Sequence, residues 1–169
     1  MYSIRPATVD DIPLIRELCL QVWPQTYASI LAQPQIDFML EWMYSPASLQ
    51  QQIQSGVHYL LCYDDVTPAG FSAFVDNGHG KFKMEKLYVL PAWHGKGAGR
   101  FIITTIVDLV TAAGAQSLQL QVNKKNIAKG FYEKLGFCVV QAAVFDIGNG
   151  YVMDDYVMEL ALPLQKALR

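Results

Sequence analysis

The chain has 169 residues, of which 52% are apolar and 17% are charged, and its formal net charge is -2. This length and apolar share predict one folded domain over residues 1–169 and exclude a largely disordered chain. This net charge excludes the strongly basic composition that is typical of nucleic-acid-binding proteins. No run approaches the roughly 18 consecutive apolar residues that a membrane helix needs.

The predicted elements begin with a strand at residues 3–7 and an amphipathic helix from about Ile12. A helical region at 35–55 is broken at Ser45-Pro46, because the residue before a proline is disfavoured in a helix. Alternating runs then predict an antiparallel meander, followed by strand–helix–strand units. The later elements are strands at 57–63, 70–75 and 81–90, a helix at 97–113, a strand at 117–122, a helix at 126–135, and strands at 137–145 and 151–162.

The three cysteines, Cys19, Cys62 and Cys138, are far apart and each has apolar neighbours in the sequence. This pattern predicts buried free thiols rather than disulfides or a C-x-x-C metal site. The N-terminal residues lack the basic and apolar segments of a signal peptide. We therefore expect a cytoplasmic protein.

A glycine-rich segment, His94-Gly-Lys-Gly-Ala-Gly-Arg100, joins a predicted strand to a predicted helix. Glycines let backbone N–H groups approach a ligand closely, and a helix N-terminus attracts anions. Lys96 and Arg100 add positive charge, so the segment predicts a phosphate or pyrophosphate site. The G-x-G-x-G spacing fits neither the P-loop nor the dinucleotide fingerprint. An ordinary strand-to-helix turn is the alternative.

This segment resembles the acetyl-CoA loop, Arg/Gln-x-x-Gly-x-Gly/Ala, of the GNAT superfamily of N-acetyltransferases, with His94 at the Arg/Gln position. A second segment, 120–137, ends in Tyr-Glu-Lys-Leu-Gly-Phe and resembles the family's strand–Asn–helix segment. Either Asn123 or Asn126 could take the family's asparagine position. Residues 26–27, 36–40 and 146–159 are similar to the polyamine branch, the PaiA-type spermidine/spermine acetyltransferases.

The resemblance implies an α/β fold of three layers, the GNAT acyl-CoA N-acyltransferase fold. Its mixed central sheet of six to seven strands carries helices on both faces. It also implies acetyl-CoA as co-substrate, with the pantetheine arm along β-strand backbone and the pyrophosphate on the glycine-rich segment. The implied cofactor-binding residues are Leu87, Tyr88, Val89, His94, Gly95, Lys96, Gly97, Ala98, Gly99, Arg100, Asn123, Asn126 and Tyr132.

The resemblance further implies roles in catalysis. The N–H of Val89 would stabilise the oxyanion, and Tyr132 would protonate the departing CoA thiolate. Glu85 shares a strand face with residues 87 and 89 by alternation and is the candidate general base. The alternatives are a packing role for Tyr132 beside Phe131 and a solvated carboxylate at Glu85.

Substrate selection is expected from the helical segment at 23–44 and the last hairpin. Trp23, Tyr27 and Tyr44, with Tyr156, are aromatic residues that could line a pocket for a cationic amine. Asp37, Glu41, Asp154 and Asp155 could bind ammonium groups. Each of these residues could equally serve packing or a solvated surface. The sequence contains no metal-ligand spacing, so we expect no metal.

These features favour an acetyl-CoA-dependent N-acetyltransferase that moves an acetyl group directly to a primary amine. Polyamines are the first substrate hypothesis, while amino sugars, antibiotics, amino-acid derivatives and protein amines stay open. The alternative is a non-catalytic acyl-CoA-binding sensor or interaction module on the same fold. We expect a small-molecule amine as partner, no nucleic acid and no membrane, and a homodimer formed through an exposed final strand.

Overall fold

The computed structural model describes residues 1–165, which form seven strands and five α-helices. The helices are α1 (Ile12–Tyr27), α2 (Gln33–Tyr44), α3 (Pro46–Gln54), α4 (Ala98–Ala112) and α5 (Ala128–Lys134). The strands are β1 (Tyr2–Pro6), β2 (His58–Asp64), β3 (Thr67–Asp76), β4 (Lys81–Val89), β5 (Ser117–Asn123), β6 (Cys138–Gly148) and β7 (Tyr151–Ala161). Short 3-10 turns at Val9–Asp11 and Pro91–Trp93 precede α1 and α4.

The strands form one sheet in the order β1-β2-β3-β4-β5-β7-β6. β4 and β5 pair in parallel, with Lys81–Met84 opposite Ser117–Leu120. The pairs β1–β2, β2–β3, β5–β7 and β6–β7 are antiparallel. The sheet is therefore mixed and has seven strands, in agreement with the predicted meander followed by strand–helix–strand units.

The break at Ser45-Pro46 is confirmed, because α2 ends at Tyr44 and α3 begins at Pro46. Pro46 has no N–H to continue the ladder of α2, and a proline is tolerated in the first turn of a helix. The hydroxyl of Ser45 accepts a hydrogen bond from the Ser48 N–H at 3.2 Å. It thus caps α3 and satisfies one of the N–H groups that a helix start leaves open.

The chain divides into two compact units. The first contains Met1–Val75 and Glu85–Thr104, and the second contains Asp76–Met84 and residues 105–165. Each unit has its own fully buried apolar side chains, which burial removes from water. In the first unit they include Ile15, Trp23, Leu49, Leu61 and Phe71, and in the second Ile106, Leu118, Leu120 and Phe137.

The cysteine prediction is confirmed for Cys19 and Cys62, which are buried free thiols, and is wrong for Cys138, which is exposed. Cys138 lies on β6, the last strand in the sheet order, where Val140 and Val144 are also more than half exposed. Apolar neighbours in sequence do not guarantee burial on an edge strand. Among the described helices, none combines the length and apolar composition that crossing a membrane requires.

Candidate functional site

The segment His94–Arg100, here called the anion loop, lies in the first unit after β4 and includes the first three residues of α4. Gly95 and Gly97 have φ values of +71° and +88°. Glycine adopts this left-handed region without strain, whereas residues with a Cβ atom are strained there. The Phe101 N–H donates to the Gly97 carbonyl at 2.9 Å, which begins the ladder of α4. The preceding N–H groups have no acceptor within the helix. With exposed Lys96 and Arg100 beside them, they suit a phosphate group.

Side chains from distant parts of the first unit hold the anion loop in place. The Tyr2 hydroxyl donates to the Lys96 carbonyl at 3.0 Å, and the Trp93 indole N–H donates to Asp64 Oδ2 at 3.1 Å. Within the preceding turn, the N–H groups of Trp93 and His94 donate to the carbonyls of Leu90 and Pro91. The loop is therefore tied to β1 and to the end of β2.

The end of β4 is closely packed against β3. A Cβ atom added at Gly70 would overlap the Tyr88 carbonyl oxygen and lie 3.0 Å from Val89 Cα. The Leu90 N–H donates to the Ala69 carbonyl at 2.8 Å, and the buried Ser72 hydroxyl donates to the Lys86 carbonyl. These contacts fix the backbone of the three predicted cofactor residues Leu87–Val89.

The three predicted substrate residues, Trp23, Tyr27 and Tyr44, lie together in an aromatic cluster with Tyr88. The Trp23 ring centroid lies 4.4 Å from that of Tyr27, 5.8 Å from Tyr44 and 6.0 Å from Tyr88. The hydroxyls of Tyr27 and Tyr88 are 3.0 Å apart and share a hydrogen bond. Burial raises the pKa of Tyr44 and of Tyr88 well above the usual value, so both phenols stay neutral.

A cavity of about 200 Å³ between α1 and α2 brings Tyr44 together with the predicted acids Asp37 and Glu41. Its other lining residues are Arg16, Cys19, Leu20 and Leu40. Burial raises the pKa of the Cys19 thiol to about 12, so it stays protonated. The guanidinium of Arg16, whose Nε donates to the Tyr44 carbonyl at 3.0 Å, shares the cavity with the two exposed carboxylates. The lining therefore keeps a net negative charge beside an aromatic ring, which suits an ammonium group on an alkyl chain.

The second unit contains the other predicted motif. Tyr132 on α5 is 8% exposed, and its ring packs 5.9 Å from that of Phe137. The side-chain oxygen of Asn123 accepts from the Lys125 N–H, and that of Asn126 accepts from the Ala128 N–H, each at 2.9 Å. Both candidate asparagines therefore shape the connection from β5 to α5.

The candidate base Glu85 is exposed on β4 in the first unit. Burial, followed by the nearby charge of Glu85, raises the pKa of Tyr59 above its usual value. The Tyr59 hydroxyl donates to Gln52 Oε1 at 2.6 Å, which also accepts from the ammonium of the buried Lys86 at 2.9 Å. Glu85 is therefore exposed on β4, whereas the next residue, Lys86, is buried and hydrogen-bonds to Gln52 together with Tyr59.

A family model described as "Acetyltransferase (GNAT) domain" matches residues 31–160. The chain belongs to the GNAT acetyltransferase family. An uncharacterized N-acetyltransferase of Mycobacterium tuberculosis is 32% identical over 90 residues, 53% of this GNAT chain and 57% of that protein. The match thus spans little more than half the length of that relative. Spermidine N(1)-acetyltransferase of Thermoplasma acidophilum is 26% identical over 158 residues, 90% of this chain and 95% of that protein.

The crystal structure of a PaiA N-acetyltransferase from Thermoplasma acidophilum in complex with coenzyme A has a TM-score of 0.80 and 24% identity to this GNAT chain. The likeness covers 95% of this chain and 99% of that one. It confirms the predicted GNAT fold around a mixed sheet. The GNAT resemblance read from the two motifs is confirmed by the family model. The similarity to the polyamine branch, read from residues 26–27, 36–40 and 146–159, agrees with the similarity to the spermidine N(1)-acetyltransferase.

At the Arg/Gln position of the GNAT motif, His94 has a backbone partner. Its Nε2 lies 2.7 Å from the Val89 carbonyl oxygen. The sequence predicts either a phosphate contact for this imidazole, because an imidazole N–H can donate to phosphate, or a site in which Lys96 and Arg100 supply the positive charge instead. In the structure the Nε2–H group of His94 donates to the Val89 carbonyl instead.

Tyr2, Asp64 and Trp93 hold the loop of this GNAT chain and are missed by sequence reasoning. Trp93 lies next to the motif, but its partner Asp64 is 29 residues away, and Tyr2 is 94 residues from Lys96. No local pattern connects residues at these separations. Gly70 did carry a signal, because a lone glycine inside a strand pattern indicates a bulge or a close backbone approach.

Asp155 is a buried acid of the second unit, on β7 opposite Asn123, and is 3% exposed. Burial raises its pKa to about 6, and the charge of Asp154 adds to this shift. Lys83 and Lys124 act in the opposite direction. The carboxyl group therefore resists ionisation in the folded protein more than in the unfolded chain.

We expect Asp155→Asn to stabilise the protein at pH 8 and to have little effect near pH 4. A carboxyl group with a raised folded-state pKa binds its proton more tightly in the native state, so stability falls as pH rises from about 4 to 6. With a pKa of about 6 against 3.8, the gain at pH 8 reaches at most about 3 kcal/mol. Urea unfolding at both pH values measures it.

Asp108→Asn is the matched control, because it removes an exposed carboxylate of α4. We expect this variant to change the free energy of unfolding by less than about 0.5 kcal/mol at either pH. Equal dependence of the free energy of unfolding on pH in the two variants would contradict a raised pKa for the buried carboxyl group of Asp155.

Proposed function

We propose that this GNAT chain is an acetyl-CoA-dependent N-acetyltransferase that moves an acetyl group directly to a primary amine. The anion loop carries the proposal, because left-handed glycines, the open start of α4, Lys96 and Arg100 together suit a diphosphate. The coenzyme A in the PaiA relative supports the same carrier. When bound, acetyl-CoA supplies the activated acetyl group.

Each protein group then has one task. The backbone of Leu87 and Tyr88 binds the pantetheine arm, and the Val89 N–H stabilises the oxyanion, an effect of about 3 kcal/mol for one such donor. Glu85 removes a proton from the amine, whose nitrogen bonds to the carbonyl carbon as the carbon–sulfur bond breaks. Tyr132 gives its proton to the departing thiolate. The roles of Tyr132, Asn123 and Asn126 rest on their places in the GNAT motif.

A polyamine is the acceptor that the protein's own residues favour. The cavity between α1 and α2 offers Asp37 and Glu41 beside Tyr44, and two separated ammonium groups would find two carboxylates. Behind Tyr44 lies the buried ring of Trp23, and Tyr27 packs against Trp23 in the same cluster. The spermidine N(1)-acetyltransferase of Thermoplasma acidophilum supports this substrate class.

Release of CoA thiol across a panel of amines tests the proposal. The panel contains spermidine, spermine, lysine and N-terminal peptides, and we expect the fastest release with the polyamines. Asp37→Asn with Glu41→Gln should raise the KM for spermidine about tenfold or more through lost charge-assisted hydrogen bonds. The KM for acetyl-CoA should not change. Glu17→Gln, an exposed acid of α1 outside the cavity, is the matched control.

A silent panel together with tight acetyl-CoA binding would contradict the transferase and leave the non-catalytic acyl-CoA-binding module. Equal KM values for spermidine in the double variant and the wild type would remove the cavity from the acceptor site. One domain over residues 1–169, a homodimer, a cytoplasmic location and the absence of nucleic-acid and membrane partners stay predictions. The predicted route through an exposed final strand is wrong, because β7 pairs with β5 on one side and with β6 on the other. The exposed edge strand is β6.

A further inference from the structure

The imidazole of His94 connects the first residue of the anion loop to the last residue of β4. Its Nε2 lies 2.7 Å from the Val89 carbonyl oxygen. A carbonyl oxygen only accepts hydrogen bonds, so Nε2 carries a proton and is the donor. The side chain is therefore directed toward the strand, and this N–H is not available to a phosphate.

The peptide group after Val89 is held at both of its polar atoms. Its carbonyl accepts from His94, and its N–H, which belongs to Leu90, donates to the Ala69 carbonyl at 2.8 Å. A peptide group is planar, so two such bonds fix the orientation of the whole plane. Gly70 packs directly against the Val89 Cα and limits movement from the β3 side.

We propose that His94 is a positioning residue for the Val89 N–H in acetyl transfer. That N–H belongs to the preceding peptide group, whose Tyr88 carbonyl lies against Gly70, and the two peptide planes meet at the Val89 Cα. By fixing the plane that follows Val89, His94 limits rotation at this Cα and so keeps the N–H in one direction. This inference rests on the proposed function, which assigns that N–H to the oxyanion. A hydrogen-bond donor aids catalysis only when it is aimed at the atom where charge develops. Other groups of the anion loop bind the diphosphate, so the His94 side chain affects kcat more than the affinity for acetyl-CoA.

His94→Ala and His94→Gln separate these effects. We expect His94→Ala to lower kcat about fivefold to tenfold, as expected for the loss of one orienting hydrogen bond. Its dissociation constant for acetyl-CoA, measured by calorimetry, should stay within about twofold of the wild type. His94→Gln keeps a side-chain N–H donor of similar reach and should recover most of the rate. His94 is exposed, so we expect both variants to fold normally.

Lys96→Gln is the comparison variant from the same loop. It removes a cation that the proposal assigns to the diphosphate, so its acetyl-CoA dissociation constant should rise about fivefold or more, well outside the twofold range expected for His94→Ala. If His94→Ala instead shows this pattern, its imidazole is a phosphate ligand and the inference is overturned. Failure of His94→Gln to recover the rate would also overturn it.

A measurement without turnover distinguishes this inference from the proposed function. If the wild type acetylates no amine, the proposed function fails, but the orientation of Val89 can still be judged by amide hydrogen exchange. Faster exchange at the Leu90 N–H in His94→Ala, with unchanged acetyl-CoA affinity, supports the positioning of the Val89 backbone by His94. An unchanged exchange rate, or a weakened acetyl-CoA complex, overturns it.

Discussion

Replacing Tyr132 with phenylalanine is expected to lower kcat by about a hundredfold or more while acetyl-CoA binding is retained. The proposed function gives the Tyr132 hydroxyl one task, to protonate the departing CoA thiolate. A phenol with an ordinary pKa of ~10 can donate to a thiolate, whereas phenylalanine has no proton to give. The ring packing against Phe131 and Phe137 is kept, so the change isolates the hydroxyl. Thiol release at saturating spermidine and acetyl-CoA measures the effect.

Tyr63→Phe is the matched control for this experiment. It removes the hydroxyl of a half-buried tyrosine of β2, which accepts a hydrogen bond from Arg5 at 3.1 Å. We expect full turnover from this variant. Undiminished turnover in Tyr132→Phe would remove the hydroxyl from the mechanism, and lost acetyl-CoA binding would assign Tyr132 a structural or binding role instead.

Gly70→Ala is expected to destabilise the protein by about 3 kcal/mol or more, above the usual cost of an added methyl group in a core. The new Cβ would overlap the Tyr88 carbonyl oxygen and approach Val89 Cα to 3.0 Å. Both are backbone atoms, so a side-chain rotation cannot relieve the overlap, and β3 and β4 must separate. Urea unfolding of the variant and the wild type measures the loss.

Gly130→Ala controls for the glycine-to-alanine change itself. Gly130 lies in α5, and a Cβ added there meets no atom within 4 Å. Alanine is the better helix former by about 0.5–1 kcal/mol, so we expect this variant to gain stability. A Gly70→Ala protein as stable as the wild type would show that β3 and β4 are not packed this closely.

Local signals carried most of the fold prediction. The helix break at Ser45-Pro46 follows from the missing N–H of proline. The alternation of apolar and polar residues at 117–122 predicts β5, because this alternation is visible within the strand's own sequence. The exposure of Cys138 could not be predicted in this way. It depends on which strand ends the sheet, and that is a property of the topology.

The anion loop was predictable because its glycines, cations and helix start are adjacent in sequence. What holds and orients the loop was not predictable. The bonds from Tyr2 to Lys96 and from Trp93 to Asp64 join residues 94 and 29 positions apart. The partner of His94 is only five residues away, yet the motif alone suggested a phosphate. The short turn at Pro91–Trp93 brings the imidazole back to Val89.

Crystals grown with acetyl-CoA give the most direct measurement of the central claim, that the anion loop binds the diphosphate of a thioester carrier. The account predicts the diphosphate oxygens within hydrogen-bond distance of the backbone N–H groups of residues 95–100, with Lys96 or Arg100 close by. A diphosphate bound at another place on the protein, or no binding of acetyl-CoA at all, would contradict the account.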